Sequence, residues 1–403
     1  MWCVPPVGRV FSPLDERLAL LPTAYSPFLV EAIVRLGARL PFAQVAEEMG
    51  LLFGVSISAD TVCRLTEQAG ALQVTLEQRE LERLEQEAPP EPAGPALQQV
   101  SADGAMVPLV GGHWTEVRTI AIGTVEERTS REGEQEAHAT ELSYFSRRCS
   151  ADAFIRQATV PTYERGTRGA GTVVAVMDGA PWLQELIDEQ CPAAVRILDF
   201  PHAVSYLNRA AQTAFGARSR EAAVWLDEWV PTLKTKEPET VLTAIRELPA
   251  TNAEAATAKR TALRYLGQRV GQLRYATFQK HGYPIGSGIV ESGGKLVAEA
   301  RLKGSGMHWA PANVNPLLAL RGRLCSGQWQ PTWLGIWRAW RAQVVQRRAD
   351  SRRIRRAQRA AEEAARAAPT TESPPKRERT KTIIDGRPTE AHPWKQRRTL
   401  SAA

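Results

Sequence analysis

The chain is poor in the residues that mark a secreted or zinc-binding protein. Its 403 residues include only five cysteines, and none of them forms a Cys-x-x-Cys pair. Scattered cysteines without paired spacing exclude a disulfide framework and give no support to a zinc site. Since reduced thiols are usual in the cytoplasm, we expect a cytoplasmic protein.

Long hydrophobic runs are also missing. No stretch approaches the roughly 20 uncharged apolar residues that cross a bilayer, and the N-terminal sequence MWCVPPVGRVF lacks the apolar core of a signal peptide. No GxSxG motif is present, and the segment GSGIVESGGK lacks the spacing of a nucleotide-binding P-loop. These absences argue against a membrane partner, a serine hydrolase and a P-loop enzyme.

Positive charge is concentrated at the C-terminal end. The net charge is +7, yet residues 301–403 carry 22 Lys and Arg against 7 Asp and Glu, a net of +15, which leaves −8 on residues 1–300. A basic end on an otherwise acidic chain predicts a partner that is a polyanion. The alternative is a solvated, disordered tail without a partner.

The pattern of apolar and turn residues divides the chain into five parts. They are an N-terminal remnant (1–26), a helical, helix-turn-helix-like region (27–86), a linker (87–97), an α/β domain (98–340) with an all-α insertion (203–280), and a basic helix with a disordered tail (341–403). In the second part, Ser58 is a predicted N-cap, and Arg64 is a cation that could read DNA bases. A plain helical bundle is the alternative for this part.

The pattern of strands and helices in the first part of the predicted α/β domain indicates a mixed α/β fold. Residues 98–210 read in the order β-β-β-α-β-α-β-α, with hairpin-like loops between the first three strands. Three antiparallel strands followed by βα units form a mixed sheet with helices on its faces.

Three acidic residues are the candidates for chemistry. Asp103 and Asp178 each lie in or at the end of an apolar run and precede a glycine, and Glu291 lies in a Gly/Ser-rich entry to a helix. Three carboxylates gathered at one point suit hard cations and two-metal phosphoryl transfer. The alternative is that each Asp-Gly pair is a turn.

Asp199 and His202 are secondary candidates. Asp199 closes the apolar run AVRILDF and could bind a metal, and His202 could contact a phosphate or carry a proton. The alternative for Asp199 is that it caps the following helix.

These motifs, taken in order, resemble the DDE transposases of bacterial insertion sequences, specifically the ISKra type. The resemblance is carried by SADGAMVP, VAVMDGAPW, RILDFPHAVSYL, PIGSGIVESGGK, RLKGSGMHW and the late AHPW, and it extends from about residue 11 to residue 398. It implies a ribonuclease H-like catalytic domain with Asp103, Asp178 and Glu291 as metal ligands, and it matches Asp199 and His202 to the family's DxxH motif. Relatives often begin with paired cysteines, whereas here Cys3 stands alone before residue 11, which leads us to expect an N-terminally shortened copy.

The resemblance also implies the reaction and its partners. The expected activity is DNA cleavage and strand transfer with two Mg²⁺ ions, for which Mn²⁺ could substitute, by a homo-oligomer assembled on the element ends and target DNA near the bacterial nucleoid. Further DNA contacts are expected from Lys295, Arg301, Lys303 and His308, and from Arg347, Arg348, Arg352 and Arg353 in the arginine-rich segment. Two alternatives stay open: a metal-dependent nuclease of the same fold, and a non-catalytic DNA-binding protein derived from a transposase.

Overall fold

The computed structural model describes residues 2–3, 10–11, 25–129, 135–367, 382–390 and 392–393. The chain divides into two compact units, Met1–Val344 and Val345–Ala403, which are described separately. The remaining parts of the predicted N-terminal remnant and of the predicted disordered tail lie outside the described residues.

The predicted helical region consists of three helices: α1 (Pro27–Gly37), α2 (Phe42–Phe53) and α3 (Ala59–Glu87). Ser58 is the N-cap of α3, as predicted, because its hydroxyl accepts a 3.2 Å hydrogen bond from the amide of Thr61. The left-handed φ of +63° at Gly54 ends α2. The helices share a buried core with Trp329, Trp333 and neighbouring residues near the end of the first unit.

A five-stranded mixed sheet forms the centre of the first unit. Its strands are β1 (Leu97–Pro108), β2 (Trp114–Thr129), β3 (Gln135–Arg147), β4 (Thr172–Met177) and β5 (Val195–Leu198). The order across the sheet is β3-β2-β1-β4-β5. The first three strands pair antiparallel, and β4 and β5 run parallel to β1. The predicted mixed α/β fold is therefore confirmed.

The two faces of the sheet are covered by different segments. On one face, β1 to β4 pack against α4 (Ala151–Gln157) and α6 (Pro181–Gln190), with α5 (Thr159–Glu164) between them in the chain. On the other face, β4 and β5 pack against α7 (Phe200–Phe215) and the helices that follow it. Apolar side chains on both faces explain why β4, TVVAVM, is apolar throughout.

Residues 203–280, which were predicted to be all-α, are largely helical. After α7 come α8 (Arg220–Thr235), α9 (Pro238–Glu247), α10 (Ala253–Gly267) and α11 (Tyr275–Lys280). The breaks after α8 and α9 fall at the predicted KEPE and LPATN segments, whereas those at residues 216–219 and 268–274 were not predicted. These helices separate β5 from the segment that carries Glu291.

The chain then returns to the sheet through one helical stretch. It contains α12 (Gly288–Gly293), a π-helix (Gly294–Glu299) and α13 (Ala300–Leu302), and it packs on β1, β2 and β3. Two longer helices follow, α14 (Pro311–Cys325) and α15 (Trp329–Ala367). A π-helix is rare in proteins, and those that do occur are frequently found at functional sites.

The second unit begins inside α15, whose residues from Val345 to Ala367 include eight arginines. Two short strands, Ile383–Ile384 and Arg387–Pro388, pair antiparallel in the described part of the tail. Within the described ranges, no helix combines the length and the apolar character needed to cross a membrane.

Candidate carboxylate site

The strand register places Asp103 and Asp178 side by side. Val100 is the last residue of β1 that pairs with β4, and its partner is Ala175. Extending that register by three residues sets Asp103, in the middle of β1, beside Asp178, the residue that directly follows β4. Ligands of open α/β sheets gather beyond the carboxyl ends of strands such as β4.

Asp199 completes the same row but is already engaged. Met177 pairs with Leu198, so the next residues in register are Asp178 and Asp199. One Asp199 oxygen accepts a 2.9 Å hydrogen bond from the amide of His202, and the other accepts a 2.7 Å bond from the amide of Ser287. Asp199 therefore caps the following helix, as the alternative interpretation had it, and both oxygens of its buried carboxylate accept hydrogen bonds from main-chain amides.

Glu291 lies on the helix that covers the same face as Asp103. Two residues later, Gly293 packs on β2 and β3, because a β-carbon there would lie 2.7 Å from the Tyr144 ring and 3.5 Å from the Thr119 methyl. Thr119 is the cross-strand partner of Asp103. Because Gly293 contacts the sheet so closely, α12 crosses β2 next to Thr119, the residue that pairs with Asp103.

Asp178 and Glu291 are both close enough to Asp103 for their charges to affect its pKa. Burial raises the pKa of Asp103 above its ordinary value, and the charges of Asp178, Glu291 and Glu116 raise it further, against a hydrogen bond from the Gly104 amide that lowers it. The Asp103 side chain still reaches solvent, so protein surrounds it on some sides only. Glu116 is a fourth acidic group, which the sequence did not single out.

The site has unbalanced negative charge. Among the described residues, no lysine or arginine forms an ion pair with Asp103, Asp178 or Glu291. Each aspartate accepts a single backbone hydrogen bond, from Gly104 at 2.7 Å and from Ala180 at 2.9 Å. Oxygen donors with spare lone pairs and no counter-charge fit hard divalent cations.

The three carboxylates do not form a compact group of ligand atoms in this structure. Within the described ranges, no three His, Cys, Asp or Glu side chains are gathered tightly enough to hold a metal ion as they stand.

The loop after Asp178 is held by the helical insertion. The Gly179 amide donates to the Tyr265 hydroxyl at 2.9 Å, and Arg269 donates to the Gly179 carbonyl at 2.8 Å. His202 Nε2 lies 3.2 Å from the same hydroxyl, and burial raises the pKa of Tyr265, so the phenol stays protonated at neutral pH. His202 therefore contacts the same tyrosine hydroxyl that holds the loop after Asp178. Tyr265 and Arg269 were not predicted, because nothing in their local sequence links them to Gly179.

An open groove of about 710 Å³ runs beside α12. Gln99, Gly286 and Ser292 line it from the sheet and α12, Lys234 and Lys280 line it from the helices after β5, and Glu127 and Glu136 line it from β2 and β3. Asp103, Asp178 and Glu291 are outside its lining, and its two lysines are balanced by two glutamates.

One predicted DNA contact is wrong. Arg301 is 2% exposed, donates to the Gly37 carbonyl at 3.3 Å and lies between the rings of Phe42 and Trp309, at 4.7 and 4.9 Å. Burial lowers the pKa of Arg301 to about 10. Its cation stabilises the packing of α13 on α1 and α2 and is out of reach of a phosphate.

The other predicted cations of the first unit are exposed. Lys295 and His308 face solvent, whereas Lys303 forms a 2.6 Å ion pair with Glu299. Arg64 is exposed but shares a depression with Asp60 and Glu67, which weakens the local attraction for DNA.

In the second unit, Arg347 and Arg353 are exposed on α15. Arg352 is exposed as well, and Arg348 is half-buried. The described part of this unit thus presents a strongly cationic helix surface, as the composition predicted.

Neither a scan against models of known protein families nor a search of curated proteins finds a match to this chain.

Proposed function

We propose that this chain is a metal-dependent DNA transposase that cuts and joins DNA at a site made by Asp103, Asp178 and Glu291. The observation that carries the proposal is the arrangement of these carboxylates: Asp103 lies within β1, Asp178 directly follows the adjacent parallel strand β4, and Glu291 lies on a helix crossing the same face. Among the described residues, none of the three carboxylates forms an ion pair with a lysine or an arginine.

The fold supports the ribonuclease H-like assignment within this proposal. The resemblance to insertion-sequence transposases implies a first Asp on the first strand, a second Asp after the fourth, and a Glu on a helix beyond an insertion. Asp103, Asp178 and Glu291 occupy those places in the sheet order β3-β2-β1-β4-β5.

The three carboxylates would hold two Mg²⁺ ions, or Mn²⁺ in their place. The chemistry that such ions supply when bound is activation of an attacking oxygen and stabilisation of the leaving oxygen during in-line displacement. The protein's own part is alignment. Tyr265 and Arg269 fix the backbone after Asp178, and the contact at Gly293 fixes the height of Glu291 above the sheet.

DNA is the partner that the charge distribution favours. The arginines of α15 form the cationic surface of the second unit, whereas the groove beside α12 has two lysines and two glutamates in its lining. Such contacts with phosphates bind DNA without reading its sequence. A homo-oligomer on DNA and a location near the nucleoid belong to the same proposal.

The proposal predicts that Asp178→Asn abolishes Mg²⁺-dependent cleavage of DNA, by at least about 10³-fold, and leaves DNA affinity within about twofold. The reason is that the carboxylate acts on the reacting atoms through cations and makes no contact that holds the duplex. Cleavage of a labelled DNA end and its binding in a gel-shift assay measure the two effects.

Asp227→Asn is the matched control, since Asp227 is an exposed aspartate on α8. Cleavage retained in Asp178→Asn would contradict the assignment. A strand-transfer assay with an element end separates a transposase from a nuclease of the same fold. A wild-type chain that binds DNA and never cuts it would instead be a non-catalytic DNA-binding protein.

A further inference from the structure

A single peptide unit, the one joining Gly286 to Ser287, is held from two strands of the sheet. Its carbonyl accepts a 2.9 Å hydrogen bond from the side-chain amide of Gln99 in β1. Its N–H donates a 2.7 Å hydrogen bond to the carboxylate of Asp199, directly after β5. Asp199 is 6% exposed and its bond is buried, whereas the bond from Gln99, itself 1% exposed, is partly buried at the edge of the groove beside α12.

This peptide leads directly into the helix that carries Glu291. The Ser287 carbonyl accepts from the amides of Val290, at 2.9 Å, and Glu291, at 3.4 Å, which makes Ser287 the start of the first turn of α12. Any shift of the Gly286–Ser287 peptide is therefore passed to the backbone of Glu291.

Hydrogen bonds, more than packing, hold this loop. A β-carbon added at Gly286 or at Gly288 would meet no atom within 4 Å, so the backbone has open space on both sides of the held peptide. Beyond the two side-chain bonds, the Ile285 carbonyl accepts a 2.9 Å bond from the amide of Phe200. In so open a place, loss of the Gln99 bond leaves the Gly286 carbonyl free to move.

We propose that Gln99 and Asp199 are positioning residues that set the place of Glu291 relative to Asp103 and Asp178. The inference rests on the proposed function for its consequence in catalysis, although the hydrogen bonds themselves do not. Mutation of residues that hydrogen-bond to a metal ligand and so orient it typically lowers metal affinity or activity by about 10- to 100-fold.

Gln99→Leu tests the proposal, and Gln98→Leu is its matched control. Gln98 is 0% exposed, lies in the same strand, and its amide donates to a main-chain carbonyl, that of Arg165, at 3.0 Å. Both variants lose a bond from a side-chain amide to a main-chain carbonyl, and only the first also loses a 3.2 Å bond to the Ser101 hydroxyl and touches the Gly286–Ser287 peptide.

Two measurements on the full chain are needed. The first is amide hydrogen exchange of residues 286–291, which we expect to quicken at least about tenfold in Gln99→Leu and to stay at the wild-type rate in Gln98→Leu. The second is the Mg²⁺ concentration for half-maximal DNA cleavage, which we expect to rise about 10-fold or more in Gln99→Leu alone.

Asp199→Asn provides a second variant, because a single amide oxygen remains to accept from two N–H groups, those of His202 and Ser287. We expect the same direction in both measurements. Unchanged exchange in Gln99→Leu and Asp199→Asn would overturn the proposal, and so would faster exchange with an unchanged Mg²⁺ requirement. A wild-type chain that cuts no DNA would overturn the proposed function, while the exchange data would still decide whether the two side chains hold the peptide.

Discussion

At the scale of the residue, the charge of Asp103 has a direct energetic consequence. Its pKa is raised in the folded protein by burial and by Asp178, Glu291 and Glu116. Folding therefore favours the protonated carboxyl, so this contribution to stability is complete below the ordinary pKa of 3.8 and is lost as the pH rises through the folded value. At neutral pH, without divalent ions, the ionised Asp103 is a net cost to folding.

We predict that Asp103→Asn raises the free energy of unfolding at pH 7 in EDTA, and that its advantage over wild type vanishes below about pH 3.8. Urea unfolding across this pH range measures the difference. Asp227→Asn, an exposed control, should give no such pH-dependent gain. A variant less stable than wild type at pH 7 would show that Asp103 is not repelled by its neighbours.

The Tyr265 hydroxyl supports the loop after Asp178 through one hydrogen bond. Tyr265→Phe should leave the buried Gly179 amide without its acceptor and lower the free energy of unfolding by about 1–3 kcal/mol. Chemical denaturation measures this loss. Tyr163→Phe is the control, because the Tyr163 hydroxyl makes an exposed, 3.3 Å bond to the Pro90 carbonyl. An equal loss in both variants would mean that the Gly179 bond has no special weight.

At the scale of the element, the approach of α12 to the sheet depends on one of two adjacent glycines. A β-carbon at Gly293 would lie 2.7 Å from the Tyr144 ring, whereas one at Gly294 would meet nothing within 4 Å. We predict that Gly293→Ala pushes α12 outward, lowers the melting temperature by several degrees, and reduces Mg²⁺-dependent cleavage at least about tenfold.

Gly294→Ala is the matched control. Replacing a helical glycine by alanine stabilises a helix by about 0.5–1 kcal/mol where space allows. Thermal melts and cleavage assays on both variants decide the matter, and equal effects at the two positions would contradict a specific role for the Gly293 contact.

Many of the strands and helices could be predicted from the sequence. The strands of residues 98–200 are apolar runs bounded by turns, and the Ser58 cap follows from local chemistry, so both are short-range signals. The support given by Tyr265, Arg269 and Gln99 could not be predicted, because each acts on a residue more than 80 positions away. Arg301 was misjudged for a related reason: a distant helix end and two aromatic rings surround it.

At the scale of the whole molecule, the charge is divided between an acidic majority and a cationic C-terminal part. Replacing both Arg347 and Arg353 by alanine should weaken DNA binding and reduce the slope of log K against log salt by roughly 1–2, since each lost phosphate contact removes about 0.9. Arg83→Ala is the control, because Glu80 and Glu87 already pair with that side chain. A slope that does not change would exclude these arginines from phosphate contact.

The central claim is that Asp103, Asp178 and Glu291 act together on divalent cations. Calorimetric titration of Mg²⁺ and Mn²⁺ into the wild-type chain and into Asp103→Asn, Asp178→Asn and Glu291→Gln tests it without any DNA. We predict saturable binding by the wild type and a loss of affinity of at least about tenfold in each of the three variants, with Asp227→Asn unchanged. Equal binding by the wild type and all three variants would contradict the claim.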